Sequence, residues 1–508
     1  MIPRKTVLGA ACACLLLAGC GQIVESRMEE ARAELAAHDF GAARVDLAAA
    51  LRERPEDPRL LALLAEVLLR MNDAVAAAPI IARLAVAAPD AADTHRLRAE
   101  LALLSGHPGE VEGLLGEDGG PATWRLRALA AWRLGDLDRA RTAFERGMAA
   151  GQDARLAADF AAYCLATDDP RGARAVLDAM RGFAPQAFET LMLAGRLAQR
   201  EGQGKQALES YTEAARRYPT RFEPLLGQAE VLERQGRLAA ALDLVAKALE
   251  LAPGEAQLAI ARLRLLARKG DWTKVRDLLQ SHEGDLVPAS PEGIAYAEAL
   301  LRLGRAEQAR MLLTRALLMA PRDVPVRTLL GETQLALGDA KGALETLAPL
   351  ARDPLVSPAA LALAERAARE AGDPVAETWR AHRASIAYRE SLALADAGAA
   401  AWMRGDWETA VAVYGRLPEG GANDLVMHRL ALGSSRLGRH DEAIRFADQA
   451  MASEGLPSAE DRHIAGWVRF VAGRDAGRAL DLLRAAVAQE PGNAAYRSVL
   501  EKAEAAAG

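Results

Sequence analysis

The sequence predicts an all-α chain built as a solenoid of stacked helix-turn-helix units. Three observations carry this expectation. The stretch from Phe188 to Glu255 is one design written twice: Gly202 recurs as Gly236, Ala207 as Ala241, Ala214 as Ala248 and Pro219 as Pro253, each 34 residues further on. Self-similarity at that period marks units that cannot bury an apolar face alone and must stack on their neighbours. Hydrophobic residues make up 51% of the chain but aromatic ones only 4%, and the difference is supplied by Ala and Leu, which favour helix. β-Branched residues never run together long enough to suggest a strand, whereas Gly or Asp and then Pro punctuate the chain at regular intervals.

Each half of the duplication follows one rule. A first helix ends in a polar turn carrying Gly or Asp. A small Ala then lets the second helix approach the first closely. A larger apolar residue and another small one follow, and Pro stops the second helix because it cannot continue the hydrogen-bond ladder. Applied along the chain from Ile23, the rule gives a unit with Phe40, Ala43, Leu47, Ala50 and Pro55, and a second with Ala77, Ile81, Leu84 and Pro89. Residues 92–120 form a shortened unit ending in Gly116-Glu117-Asp118-Gly119-Gly120. The register restarts with Trp124, Gly135, Ala140, Phe144 and Gly147, and continues with Asp168, Ala173, Leu177, Met180 and Pro185. The duplicated pair comes next, followed by Gly270-Asp271-Trp272, Val275 and Leu279.

The segment Ser281–Glu292 interrupts the rhythm with Gly, Pro and Ser. Gly304, Ala309, Leu313, Ala316 and Pro321 resume it, and Gly338, Ala343 and Leu347 follow. A weaker unit spans Ser357 to Ser391 around Gly372-Asp373-Pro374. Gly405-Asp406-Trp407 with Ala410 and Tyr414 marks another, and Gly420-Gly421-Ala422-Asn423 is a loop. Gly438, Ala443 and Ala450 continue the array. The last unit, with Gly473, Ala479, Leu483, Ala486 and Pro491, carries one extra residue in its turn. A final helix over Ala494–Ala507 has Tyr496 and Leu500 spaced to cap the last apolar face.

These residues resemble the tetratricopeptide repeat, over most of the chain. The resemblance implies a right-handed superhelical solenoid of about 13–14 repeats, with a concave surface lined by first helices. Breaks are expected near 116–120, 281–292 and 418–423. The organisation read from the sequence is a leader over 1–19, N-terminal repeats over 20–120, a central array over 121–288, an array after a break over 289–391, and C-terminal repeats with a capping helix over 392–508.

The first 20 residues read as an address. Arg4 and Lys5 precede an apolar run from Thr6 to Ala18, too short to span a bilayer, as in a secretory signal. Leu17-Ala18-Gly19-Cys20 resembles the bacterial lipobox, which implies cleavage before Cys20 and acylation of its thiol. Several acyl chains, at roughly 0.8 kcal/mol per buried methylene, anchor a protein permanently. Gly21 rather than Asp follows, and by resemblance to lipoprotein sorting this implies the outer membrane, on its periplasmic face.

Net charge is −6 with both signs interspersed, which argues against nucleic acid and against a polybasic membrane patch. Three of the four cysteines, Cys12, Cys14 and Cys20, lie in the leader region, so the body holds only Cys164 and no disulfide. Cys164 falls on an apolar helix face and reads as an inert buried thiol. No two histidines sit three or four residues apart, and neither HExxH nor GxSxG occurs. Gly202-Gln203-Gly204-Lys205 lacks the spacing and the Ser/Thr of a phosphate loop, and it sits in the repeat's own turn. The sequence therefore predicts no enzyme, no metal and no cofactor.

The groove is where binding residues are sought. The positions that clamp a peptide carboxylate in some relatives carry Glu66, Leu129, Arg196, Glu230, Arg264, Glu298, Glu332 and Leu432, with no Asn, so that clamp is absent. Arg125, Arg196 and Arg264 suggest a positive section, and Glu298 and Glu332 a negative one, with Glu230 between. Trp124, Trp272 and Trp407 read as packing residues. Trp132 and Trp402 fall in the last turn of a first helix on the side turned to the groove, and are candidate aromatic anchors. The resulting expectation is a lipid-anchored periplasmic scaffold for protein partners of the envelope, supporting assembly or export such as exopolysaccharide or exosortase-associated surface-protein export. A pilus, secretin or cell-wall synthase role, or binding of an anionic polymer, are the alternatives.

Overall fold

The computed structural model describes residues 24–116, 119–452 and 456–507. The leader, Cys20, Gly21 and Ile23, and Glu117 and Asp118 of the glycine-rich turn, lie outside the described residues. Among the described residues there are helices and no strands, arranged as fourteen helical pairs and a last helix, Ala494–Ala507. The chain is an all-α solenoid. It forms two compact units. The first comprises the chain up to Ala198, Lys205–Pro224 and Asn493–Ser498; the second comprises Gln199–Gly204, Leu225–Gly492 and Val499–Gly508.

Why the chain breaks into pairs is seen in the turns. The backbone is left-handed at the turn residue of every pair: Gly at 106, 135, 202, 236, 270, 304, 338, 372, 405, 438 and 473, but His38, Asn72 and Asp168 in three of them. A left-handed residue ends the first helix. The next residue often starts the second. The carboxylates of Asp39, Asp73, Asp136, Asp169, Asp339 and Asp406 each accept a hydrogen bond from the backbone N–H three residues on. Such caps contribute about 1 kcal/mol apiece. Gly-Asp in this sequence is therefore two devices: one reverses the chain, the other satisfies the new helix end.

The small residue after each turn is what lets the two helices touch. Ala43, Ala77, Ala140, Ala173, Ala207, Ala241, Ala309, Ala343, Ala410 and Ala443 are all fully buried. A second close approach lies on the first helix. A Cβ added to Gly195 would meet the ring of Tyr211 at 2.4 Å, one at Gly331 would meet Leu347 at 2.5 Å, and one at Gly398 would meet Tyr414 at 2.5 Å. The large residue after the turn thus fills the space that the glycine on the partner helix leaves open.

The irregular pairs keep this logic at reduced length. After the helix Ala92–Leu104 the second helix is replaced by a 3-10 turn, Pro108–Glu110, and one short helix, Val111–Leu115. Val111 and Leu115 still reach the core. In the last pair the extra turn residue is accommodated by Asp475, which takes a left-handed conformation of its own after Gly473.

Gly195→Ala tests the packing rule. The added methyl must displace the Tyr211 ring, and overpacking of this kind costs about 1–3 kcal/mol. The expected outcome is lower melting temperature and faster hydrogen exchange through residues 188–217, with helical content unchanged; an unaltered exchange pattern there would refute the rule.

Candidate functional site

In the first unit the pairs curve until the first turn meets the sixth pair. The ring of His38 lies 4.9 Å from that of Phe188 and 5.0 Å, edge-on, from that of Tyr218. The Arg221 guanidinium sits over Phe40 at 5.1 Å and over Phe188 at 5.2 Å. Tyr218 donates from its hydroxyl to the carbonyl of Gln186 at 3.1 Å. Cation–π and aromatic contacts of this kind contribute roughly 0.5–1.5 kcal/mol each. They tie residues from opposite ends of the curve into one cluster.

The curve encloses a cavity of about 400 Å³. Its walls come from successive first helices. Arg70 projects from Pro58–Arg70, Glu100 from Ala92–Leu104, Arg125 and Arg133 from Pro121–Arg133, Arg155 and Asp159 from Ala154–Ala166, and Arg196 from Phe188–Arg200. His38 and Asn72, the non-glycine residues in the first two turns, line it as well. Glu189, Arg221 and Glu223 complete the lining.

Its electrostatics centre on Glu100. This buried carboxylate accepts from Arg125 at 3.2 Å and from Arg155 at 2.7 Å, and Arg96 lies 3.8 Å away. Burial alone would raise its pKa, but the Arg125 and Arg155 guanidinium groups outweigh that and hold it at about 2. Arg125 also donates to Asp159 at 2.7 Å. Burial pushes Arg155 below the ordinary arginine value, and repulsion from Arg125 and Arg70 adds to it. Its Glu100 partner is already shared.

The other charged residues are held locally. Arg221 pairs with Glu223, and Arg70 with Glu66 at 3.3 Å. Arg133 donates to the Leu103 carbonyl. Arg196 is exposed and has no hydrogen-bond or ion-pair partner among the described residues.

The second unit presents a different pattern. Glu233, buried, accepts from Arg264 at 2.9 Å and from Arg268 at 3.0 Å. Arg302 lies between Glu298, at 3.3 Å, and Glu332, at 3.0 Å. Glu230 accepts from Gln199 at 3.2 Å. The negative section expected from Glu298 and Glu332 is weakened rather than open: the single charge of Arg302 offsets one of the two, and Arg264 is engaged with Glu233 rather than free. Arg302 is paired to Glu298 by its i,i+4 spacing, but its reach to Glu332 and the reach of Arg264 and Arg268 to Glu233 cross between pairs, which sequence spacing alone does not show.

The tryptophan expectation is corrected too. Trp402 is only 3% exposed. Trp407 packs edge-on against it at 4.7 Å, and the guanidinium groups of Arg436 and Arg429 lie at 5.8 and 5.9 Å. Trp132 is half-buried, with its ring edge-on to Tyr163 at 5.5 Å. Trp402 offers no open aromatic anchor, whereas Trp132 keeps part of its surface exposed. Trp124 and Trp272 are half-buried against the core, as a packing role requires.

One cluster resembles a catalytic set in composition. His428 Nε2 is 2.7 Å from Asp461 Oδ1, and the Ser458 hydroxyl donates to Asp461 Oδ2 at 2.6 Å. The serine faces the carboxylate and not the imidazole, so no base can take its proton in the manner of a triad. Ser458 and Asp461 form a capping box for the helix Ala459–Ala472, with Asp461 held at about 2 by hydrogen bonds from His428 and Ser458 that outweigh burial. Cys164 is fully buried, and burial pushes its thiol up to about 12. No group of His, Cys, Asp and Glu suited to a metal occurs among the described residues.

Models of the tetratricopeptide repeat match residues 34–101, 192–256 and 300–367. No curated protein matches the chain. Among solved structures, it is similar to the one described as "Crystal structure of APC/C hetero-tetramer Cut9-Hcn1", at 17% identity, over 93% of this chain and 95% of that chain, with a TM-score of 0.38.

The His38 contact generates a pH prediction. Glu189 lies 3.8 Å from its Nε2, but burial first, and then Arg70, Arg221 and Arg155, hold the imidazole down to about 4. A base whose folded pKa is depressed binds its proton better unfolded, so stability is full above the unfolded value of 6.5 and is lost as pH falls from there towards 4. Lowering the pH from neutral to about 5, still above most carboxylate pKa values, is expected to lower the protection factors (exchange relative to the intrinsic rate at each pH) of residues 38–53 and 188–221. His38→Asn, which tolerates the left-handed backbone but cannot titrate, is expected to cost roughly 1 kcal/mol at neutral pH and to flatten that dependence.

Proposed function

The chain is a tetratricopeptide-repeat protein, and from that premise we propose that it is a non-catalytic scaffold which grips protein partners of the cell envelope in the concave face of its first helices. The observation that carries this reading is the cavity of the first unit. Its lining comes from six successive pairs and the start of the seventh, so only the stacked array creates it. A surface assembled that way suits an extended or helical segment of another protein.

In this proposal Cys20 carries the lipid that holds the protein to the outer membrane, and the repeats face the periplasm. The reading is supported by Leu17-Ala18-Gly19-Cys20 at the end of the apolar run and by Gly21 after it. No helix among the described residues is long and apolar enough to cross a membrane. The scaffold would serve an envelope assembly or export system, of which exopolysaccharide and exosortase-associated surface-protein export are the favoured cases.

Fractionation tests the anchor. The unchanged chain is expected in the outer-membrane fraction and a Cys20→Ser variant in the soluble periplasm; a variant that stays with the membrane defeats the lipid assignment. Deletion of the gene is expected to lower surface polysaccharide or sorted surface protein. Loss of pili, or altered cell shape with polysaccharide intact, would move the scaffold to pilus, secretin or cell-wall assembly.

A further inference from the structure

We propose that the cavity of the first unit is a binding site for an acidic peptide segment, in which carboxylate side chains meet Arg70, Arg133 and Arg196 and aliphatic side chains meet the leucines between them. This deepens the scaffold reading and rests on it.

The charge balance is the first argument. Six guanidinium groups line the cavity, those of Arg70, Arg125, Arg133, Arg155, Arg196 and Arg221, against four carboxylates, those of Glu100, Asp159, Glu189 and Glu223. The carboxylates are unevenly placed. Glu100 and Asp159 are committed to Arg125 and Arg155, and Glu223 to Arg221. Glu189 faces the imidazole of His38, which is neutral at neutral pH. What remains is positive charge with open donors. Arg196 has no partner among the described residues, Arg133 has only a backbone carbonyl, and the buried Nε of Arg70 has no acceptor. Guanidinium donors inside a partly enclosed cavity make stronger hydrogen bonds to carboxylate than the same groups make in open water.

The second argument is shape. The aromatic cluster of His38, Phe188 and Tyr218, with Arg221 stacked on it, closes the curve, so the helices that carry the donors are held in place before anything binds. Preorganisation lowers the ordering cost of association. A volume of about 400 Å³ lies within the ordinary range for ligand sites. His38 and Asn72 occupy turn positions where most other pairs have glycine, and both reach the cavity.

The third argument selects the class of ligand. Leu69, Leu103, Leu126, Leu129, Met192 and Leu193 lie among the arginines. A polyuronate has carboxylates but no aliphatic side chains to bury against them. A peptide with alternating acidic and aliphatic residues satisfies both.

Calorimetric titration of the full chain in detergent tests this. The probe is a short acetylated, C-amidated peptide of Leu, Ala and Glu, so its only carboxylates are side chains. The comparison ligands are the same peptide with Gln for Glu, and polygalacturonate. The Glu peptide is expected to bind, more weakly as salt rises, and the Gln peptide about tenfold less tightly or worse. Arg196→Glu, at an exposed position whose change leaves the fold intact, is expected to lower affinity about tenfold with an unchanged melting temperature. Glu189→Gln removes an opposing charge and is expected to raise affinity. Equal binding of the two peptides, no binding of the Glu peptide, indifference to Arg196→Glu, or binding of polygalacturonate alone each overturns the proposal. Partner capture from membranes that survives Arg196→Glu would remove this site and leave the scaffold standing. Absence of any captured partner with the unchanged chain would remove the scaffold itself.

Discussion

Everything in this protein depends on how closely two helices of a pair can approach. The limit is set by one atom, the Cβ at the crossing. Where that position is Ala, as at Ala207 or Ala343, the second helix settles on the first with the methyl fully buried. Where the first helix offers Gly, as at Gly195, a tyrosine ring from the second occupies the vacated space. Stacking then repeats the contact from pair to pair, and the core is a seam along the array rather than a single centre. The seam explains why so few aromatic residues suffice. Small residues bring backbones together, and leucines fill what is left.

That seam leaves the inner ends of the first helices to carry charge. Many of their arginines and carboxylates are spaced about one repeat apart and so meet groups from the next pair as well as from their own helix. Arg125 reaches Asp159, 34 residues on, and Arg264 reaches back 31 residues to Glu233. The consequence of these pairings is where charge is left over. In the second unit Arg302 offsets one of the two charges of Glu298 and Glu332. In the first unit Glu100 is shared among three guanidinium groups, and an excess of positive charge stays inside a cavity.

The repeat rhythm was legible because it is local. Turn glycines, the Asp after them and the small residue that follows are all set by backbone conformation and helix crossing within one unit. The shortened third unit and the extra turn residue before Asp475 were readable for the same reason. The site was legible only in part. Arg125 and Arg196 could be placed on the inner face by register. Arg155 and Arg221 could not be matched to it, and Trp402 was misjudged because Trp407 folds back over it. His38 and Asn72 left a signal that can be recognised afterwards: side chains where the ruler calls for glycine.

By itself, then, the sequence determined the helical pairs, their turns and their packing faces, because those follow from contacts a few residues to one repeat apart. Only the tertiary structure decided which charges are cancelled and where the curve closes. His38 and Tyr218 meet although they stand 180 positions apart in the sequence. Their meeting depends on the summed rotation of every pair between them, a quantity that no single repeat contains. The stretch from Phe188 to Glu255 shows both sides of this: its alanines and glycines obey the local rule, while Phe188, Glu189 and Arg196 belong to a cavity built with residues from the far end of the first unit.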